Sequence, residues 1–260
     1  MNSRTIGAAL LLSALALGAC AEQEQTEGTS DLSRDLLAQP AGDGTSTPIP
    51  TDATLDNADA PRVRVSEVGI DRGSVDAPVK VVEMSDYGCG YCRMFHDETF
   101  PSLLDEFIDT GMVEWKFVPY ITGMFGNSLP ATEAAECAIA QSREQFELLN
   151  NRIWDEQAAW KGASDPAAVI RPWVEELDLD MAAFDTCLND DERIERIASA
   201  TTLARQLGVR GTPTFVVLGY APLQGALPLE TFRQLLTAVH TDLTRDPSAD
   251  VQGDEGAGNE

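Results

Sequence analysis

Positive charge is scarce in this 260-residue chain, which has 18 lysine and arginine residues against 43 aspartates and glutamates and a formal net charge of −25. A polyphosphate would be repelled by such a chain, so the composition argues against nucleic-acid binding. Much of the imbalance lies at the two ends, because residues 21–60 and 241–260 together contain 15 acidic and two basic residues. We interpret the remaining acidity as a solubility feature or an adaptation to a salty medium rather than as a binding face.

Histidine and cysteine are also rare, with two and five residues respectively. A zinc site built on the closely spaced cysteines Cys89 and Cys92 would need two further ligands at short spacing, which the chain does not supply. A c-type haem requires a histidine directly after the second cysteine, and Arg93 stands there. We therefore expect neither a metal nor a cofactor.

Long apolar runs are absent except near the N-terminus, where one extends from Ile6 to about Ala21 after a single arginine, Arg4. This run is shorter than the ~20 residues that a membrane-spanning helix needs, so it is typical of a secretory signal. It ends in Leu-Gly-Ala-Cys, which resembles the lipobox of bacterial lipoproteins. That resemblance implies a signal peptide over residues 1–19 and a lipid on Cys20, which would hold the exported chain to a membrane at the periplasmic or cell-envelope face. Ordinary signal cleavage among the small residues of this stretch is the alternative.

Two segments are poor in large apolar residues. Residues 20–75 are rich in Gly, Thr, Ser, Pro and acidic residues, and residues 243–260 have a similar composition. Such sequences cannot bury enough surface to offset the entropy that is lost on ordering. The composition predicts a disordered acidic tether and a disordered acidic tail around the folded part.

The folded part opens, over residues 76–127, with a strand–helix–strand pattern. The apolar, β-branched run from Val79 to Met84 is typical of a buried central strand. We expect the following helix to be interrupted at Pro101 and to end at Gly111, before a second strand.

A different pattern follows. Residues 128–207 are helix-forming almost throughout, which predicts about four helices packed as one subdomain. Residues 208–242 return to a strand and close with a helix. The sequence shows no internal repeat.

The most informative motif is the C-x-x-C formed by Cys89 and Cys92, directly after the first buried strand. One helical turn separates the two side chains, so they can close a disulfide. At a helix N-terminus, free backbone N–H groups and the helix dipole would stabilise the Cys89 thiolate, and Cys92 would resolve a mixed disulfide formed on Cys89. A purely structural disulfide is the alternative.

Three motifs, "VVEMSDYGCGYC", "GVRGTPTFVVLG" and "GALPLETF", with the helical segment between the first two, resemble the DsbA-type thiol:disulfide oxidoreductases of the thioredoxin superfamily over residues 66–240. The resemblance implies an α/β, thioredoxin-like fold with an inserted all-helical subdomain. It also implies a cis peptide between Thr212 and Pro213 that faces the redox pair. There the Thr212 backbone, together with Gly90 and Tyr91, would bind an extended substrate segment.

Glu83 lies in the buried strand on the same face as Val79 and Val81. An unpaired buried carboxylate has a raised pKa, which suits it to move a proton to or from Cys92, and an acid at this position has that role in the resembled family. A glutamate that reaches solvent at the strand end is the alternative. We expect His96, four residues after Cys92, on the helix surface rather than in a proton relay.

Cys137 and Cys187 remain once Cys20 is lipidated and the C-x-x-C is paired. In an oxidising compartment, they predict a structural disulfide between two helices of the insert. Two free cysteines in the core are the alternative.

These features support three functional hypotheses. The first is an exported dithiol oxidase with cysteine-containing exported proteins as substrates and a membrane quinone-linked partner, DsbB-type or similar, to reoxidise it. The second is a disulfide isomerase or reductase that uses the same pair. The third is a non-catalytic peptide-binding lipoprotein with a structural disulfide. The Gly90–Tyr91 dipeptide departs from the Pro-His typical of strong oxidases, which predicts a weaker oxidant, and this dipeptide with Thr before the cis proline is also found in disulfide isomerases. Against an isomerase, the tether shows no strand-rich dimerisation domain, and the helical insert resembles that of the oxidases. We expect a monomer.

Overall fold

The computed structural model describes residues 63–245, so the signal peptide, Cys20 and most of the predicted tether and tail lie outside the described residues. A five-stranded mixed sheet with the order β1-β3-β2-β4-β5 forms its centre. The central strands β2 and β3 are parallel, and all other pairs are antiparallel. The strands are β1 (Ile70–Arg72), β2 (Val79–Ser85), β3 (Val113–Pro119), β4 (Thr214–Val217) and β5 (Leu223–Gln224).

Nine α-helices accompany the sheet in this part of the chain: α1 (Gly90–Glu98), α2 (Phe100–Leu103), α3 (Ser128–Ile139), α4 (Arg143–Asp155), α5 (Gln157–Lys161), α6 (Pro166–Glu175), α7 (Met181–Leu188), α8 (Asp191–Gln206) and α9 (Leu229–Thr244). A π-helical turn, Leu104–Ile108, extends α2, and Gly111 takes a φ of 76° before β3. The helix breaks at Thr99, because Pro101 has no N–H to bond the carbonyl four residues before it and its ring clashes with that carbonyl. Within residues 63–245 no helix is long and apolar enough to cross a bilayer.

Both faces of the sheet are covered. On one face, Val81 and Trp115 pack with Phe95 of α1 and Phe232 of α9. On the other face, apolar strand side chains pack against Leu203 and other residues of α8. The strands β2 and β3 are therefore buried on both sides, which is why their sequences are nearly continuous apolar runs.

Helices α3 to α7 form a separate aromatic core that reaches the redox pair. The residues of this core include Phe146, Trp154, Trp160, Trp173 and Phe184. The disulfide between Cys137 of α3 and Cys187 of α7 joins two of these helices, with Cα atoms 5.7 Å apart.

Two predictions of domain limits need correction. The tether was predicted to extend to residue 75, but residues 63–75 are ordered and include β1, whose Ile70 and Arg72 are buried as the strand pairs with the edge of β3. The helical insert was predicted as one subdomain over residues 128–207, but its last helix, α8, packs on the sheet while its Arg193 pairs with Glu133 of α3. Both differences arise from long-range packing that a local pattern does not encode.

Candidate active site

The redox pair lies at the start of α1. Cys89 is the N-cap residue, with an extended backbone, and its N–H donates to the carbonyl of Asp86 at 2.8 Å. Cys92 follows one turn later and is fully buried, and the structure holds both cysteines as free thiols. The first backbone N–H groups of the helix therefore surround the Cys89 sulfur.

The two thiols have opposite pKa shifts. A hydrogen bond from the Cys92 thiol, together with contacts from Thr212 and the backbone N–H groups of Tyr91 and Cys92, lowers the pKa of Cys89 to about 5 although burial opposes the shift. Burial and the neighbouring Cys89 sulfur raise the pKa of Cys92 well above its usual value. At neutral pH, Cys89 is the thiolate and Cys92 keeps its proton.

The peptide bond between Thr212 and Pro213 is cis, and the Thr212 carbonyl oxygen lies 3.4 Å from the Cys89 sulfur. Among residues 63–245, the Thr212 hydroxyl is one of four buried side-chain groups with no hydrogen-bond partner. The backbone and the side chain of Thr212 thus stand beside the nucleophile.

Gly90 and Tyr91 form the exposed part of the motif. The Tyr91 side chain is 67% exposed, and a Cβ added at Gly90 would meet nothing within 4 Å. The dipeptide brings no charge to the Cys89 thiolate.

Glu83 is fully buried on β2, but it is not unpaired. Its Oε1 accepts a hydrogen bond from Ser85 and lies 2.8 Å from Nε2 of His96, and its Oε2 accepts from Nε1 of Trp115 at 2.8 Å. Burial favours a raised pKa, but the His96 ion pair and these hydrogen bonds outweigh burial and hold the pKa of Glu83 below its usual value. The prediction of a raised pKa is wrong because the carboxylate has three partners.

Sequence reasoning placed His96 on the helix surface and did not single out Ser85. The structure buries His96 against Glu83 and stacks its ring on Trp154, with ring centroids 4.5 Å apart. The Ser85 hydroxyl donates to Glu83, and its presence beside Cys92 acts to lower the pKa of that thiol, against the larger effect of burial. The burial of His96 could have been predicted from its position, since a residue four after the buried Cys92 lies on the same helix face.

The loop before the redox pair is held from both sides. The Asp86 carboxylate accepts hydrogen bonds from Gly88 N–H, from Thr122 and from Ser128. The side-chain amide of Gln157, at the start of α5, donates to the carbonyl of Tyr87 at 2.6 Å and to that of Cys89 at 2.9 Å. The nucleophile is therefore positioned by Thr122, which follows β3, and by Ser128 and Gln157 of the helical core.

A family model described as Thioredoxin matches residues 66–238. The chain belongs to this thioredoxin family. It is similar to the probable disulfide bond formation protein D of Bacillus cereus, with 27% identity over 151 residues, 56% of this chain and 68% of that protein. It is also similar to Na(+)/H(+) antiporter NhaA 3 of Salinispora tropica, with 34% identity over 152 residues, which cover 57% of this chain and 21% of the antiporter.

The fold also has solved thioredoxin-like counterparts. The crystal structure of α-DsbA1 from Wolbachia pipientis has a TM-score of 0.60 at 22% identity, covering 66% of this chain and 91% of that chain. The predicted thioredoxin-like fold and the resemblance to DsbA-type proteins are therefore confirmed. The names of the relatives also confirm the enzyme class, a protein thiol:disulfide oxidoreductase.

Proposed function

We propose that this enzyme is an exported dithiol oxidase that introduces disulfides into cysteine-containing exported proteins. The opposite pKa shifts of Cys89 and Cys92 carry this proposal. A stabilised Cys89 thiolate favours the reduced dithiol over the disulfide, and a disulfide whose reduced form is stabilised is an oxidant.

The exchange proceeds in two attacks. A substrate thiolate attacks Cys89 of the enzyme disulfide, which forms a mixed disulfide and releases Cys92 as a thiolate that takes up a proton. The second substrate thiolate then attacks the substrate sulfur of the mixed disulfide and displaces the Cys89 thiolate, a good leaving group because of its low pKa. Two electrons pass to the enzyme, and a membrane quinone-linked partner, DsbB-type or similar, would remove them.

The substrate segment would lie along the cis peptide. The carbonyl of Thr212 stands 3.4 Å from the Cys89 sulfur, so an extended chain bonded to Cys89 could pair with this backbone as an added strand. Exposed Tyr91 would meet the same segment. Recognition through main-chain groups would let one site accept many unfolded substrates.

Export is supported by the apolar N-terminal segment and by the Cys137–Cys187 disulfide, since structural disulfides are typical of oxidising compartments. The lipobox-like Leu-Gly-Ala-Cys supports attachment to a membrane through a lipid on Cys20, with residues 1–19 removed. We propose that the enzyme acts there as a monomer.

A redox titration tests the direction of electron flow. We expect a reduction potential of about −120 to −200 mV, as in oxidases and isomerases, whereas about −270 mV would indicate a reductase. The uncharged Gly90–Tyr91 pair favours the weaker end of this range, and catalysis of disulfide rearrangement in a scrambled substrate would then support the isomerase. A potential below about −300 mV with an ordinary Cys89 pKa would instead indicate an inert structural disulfide and a peptide-binding protein.

Trapping tests the exchange itself. A Cys92→Ser variant cannot resolve the mixed disulfide, so substrates should accumulate on Cys89 and appear as adducts on non-reducing gels. Cys89→Ser is the matched control and should accumulate far fewer adducts. Equal trapping by both variants would contradict the assigned roles.

A further inference from the structure

A continuous set of contacts leads from the buried cysteine to the far side of α1. The Ser85 hydroxyl donates to Glu83 and is near enough to the Cys92 thiol to lower its pKa, and Glu83 pairs with Nε2 of His96 at 2.8 Å. The proposed exchange gives Cys92 a role, and the family resemblance gives Glu83 one. Neither explains why Ser85 and His96 are buried beside them. Their side chains are buried, and His96 exposes 4% of its side chain.

His96 ends this set at a cleft of about 850 Å³. Residues of β1, α1, α2 and α4 line it, among them Arg72, His96, Phe100, Asn151, Trp154 and Asp155. The redox cysteines and the cis proline are not among the lining residues. The cleft therefore reaches solvent separately from the substrate-binding face.

Two buried donors in the cleft wall lack a protein acceptor. Arg72 Nη1 and Trp154 Nε1 account for two of the four buried side-chain atoms without a hydrogen-bond partner in residues 63–245. Such donors take solvent as their partner where a polar cavity is open to it. A hydrated cleft would bring water to the ring of His96, which stacks directly on Trp154.

We propose that Ser85, Glu83 and His96 form a proton relay that connects Cys92 to this cleft, so that Cys92 gains and loses its proton on the side away from the substrate. The relay rests on the proposed exchange function and deepens it. Ser85 contacts the reacting sulfur, while His96 acts through Glu83.

Cys92 takes up one proton when a substrate is oxidised and gives up one proton when the enzyme is reoxidised. When a substrate attacks Cys89, Cys92 leaves as a thiolate and takes the hydroxyl proton of Ser85, while the Glu83 carboxylate passes a proton from protonated His96 to Ser85. When the enzyme is reoxidised, the Cys92 thiol gives a proton to Ser85 as Ser85 gives its own to Glu83, and the thiolate then attacks the mixed disulfide on Cys89. In each direction His96 exchanges one proton with the cleft, so the Glu83–His96 pair ends with its original number of protons.

A back exit is needed because a substrate or redox partner bonded to Cys89 covers the front of the site. The charged groups around His96 come from several elements. They are Glu83 on β2, Arg72 on β1, Asp97 on α1, and Glu147 and Asp155 on α4. Carboxylates outnumber arginines around the cleft, which favours a site where protons are taken up and released over one that binds an anion.

The test measures the resolving step alone. Reduced protein is mixed with saturating glutathione disulfide, and acid quenching with mass spectrometry separates the Cys89–glutathione adduct from the closed disulfide. We expect His96→Ala to lower the closure rate at pH 7 by about 100-fold, within the range for general acid–base catalysis, and to make closure rise with pH. Formation of the adduct should stay within twofold of wild type.

His96→Gln keeps a hydrogen-bond donor beside Glu83 but cannot take up or release a proton, so it should show the same loss of closure rate. His240→Ala is the control.

Chemical rescue separates proton transfer from packing. Imidazole should restore closure in His96→Ala, while pyrazole, which has the same shape but is a much weaker base, should not. Adding Asn151→Trp, at an exposed position of the cleft wall, should reduce the rescue. Wild-type closure rates and pH profiles in both His96 variants, or equal rescue by the two azoles, would overturn the relay while the exchange function stands. Absence of both the adduct and the closed disulfide in the wild-type protein would overturn the exchange function and the relay together.

Discussion

At the scale of single residues, the redox loop depends on small side chains and fixed donors. Cys89 is reactive because neighbouring N–H and S–H groups stabilise its thiolate, and the carboxylate of Asp86 accepts hydrogen bonds that fix the preceding turn. Sequence reasoning could assign Cys89 and Cys92 from the C-x-x-C motif, but it did not find the role of Asp86 in this turn.

The lowered pKa of Cys89 predicts a pH-dependent stability of the dithiol form. Its folded-state pKa of about 5 lies below the ordinary value of 9.0, so the stabilisation is full above pH 9 and is lost as the pH falls toward 5. Relative to the disulfide form, the free energy of unfolding of the dithiol form should rise between these limits by up to about 1.4 kcal/mol per pH unit. Urea unfolding of both forms at pH 5, 6 and 7 measures this slope, and a difference independent of pH would contradict it.

Gly88 and Gly90 make a matched pair for testing the loop. A Cβ at Gly88 would lie 2.4 Å from the Ser128 hydroxyl and 2.5 Å from Cβ of Phe125, while one at Gly90 has open space. We expect Gly88→Ala to destabilise the protein by about 1–3 kcal/mol, as overpacking does, and to slow alkylation of Cys89 by shifting the loop. Gly90→Ala should leave both urea stability and the alkylation rate close to wild type. Equal effects of the two substitutions would show that Ser128 and Phe125 move aside freely.

At the scale of elements, the backbone at the start of α1 has a conformation that would accept a more restricted residue than Gly90. Gly90 is the first helical residue, where the backbone N–H has no partner within the helix, and Cys89 before it is extended, with φ −81° and ψ 124°. Both conditions suit a proline at position 90.

Gly90→Pro should therefore stabilise both redox forms by about 0.4–1 kcal/mol by restricting the unfolded chain. Arg93→Pro is the contrasting variant, because it removes the N–H that bonds the Cys89 carbonyl at 3.1 Å, and it should cost about 3 kcal/mol. Calorimetric unfolding reports both changes. A loss of stability in Gly90→Pro would mean that the Gly90 N–H has a role in the folded loop.

The elements also show what the sequence could and could not predict. The strand β2 was evident because Val79 to Met84 form an apolar run, and the helical segment because its caps and spacing are regular. The strand β1 has only three residues and exists because the edge of β3 accepts it. The burial of His96 depends on Trp154, which is 58 residues away along the chain and on another helix. Contacts of this kind are set by the tertiary fold and leave no local pattern.

At the scale of the whole molecule, a disulfide closes the helical core. Cys137 and Cys187 are 50 residues apart, and this loop gives about 4 kcal/mol in the chain-entropy model. We expect the double variant Cys137→Ala/Cys187→Ala to lose roughly that much stability in non-reducing urea. Alkylation of Cys89 in the folded variant should keep its wild-type pH dependence, because neither Cys137 nor Cys187 is among the groups that shift the pKa of Cys89. A large change in that dependence would indicate that the two sites are coupled.

Gln157 has a consequence for any attempt to shorten this protein. Its one amide nitrogen serves two main-chain oxygens of the redox loop, those of Tyr87 and Cys89, although it belongs to the helical core. Trimming the chain to its sheet and flanking helices would leave both oxygens without this donor and uncover Tyr87, which is fully buried. The helical core thus helps to fix the conformation of the loop that carries the nucleophile. A minimal version of the enzyme would need another hydrogen-bond donor in place of the Gln157 side chain.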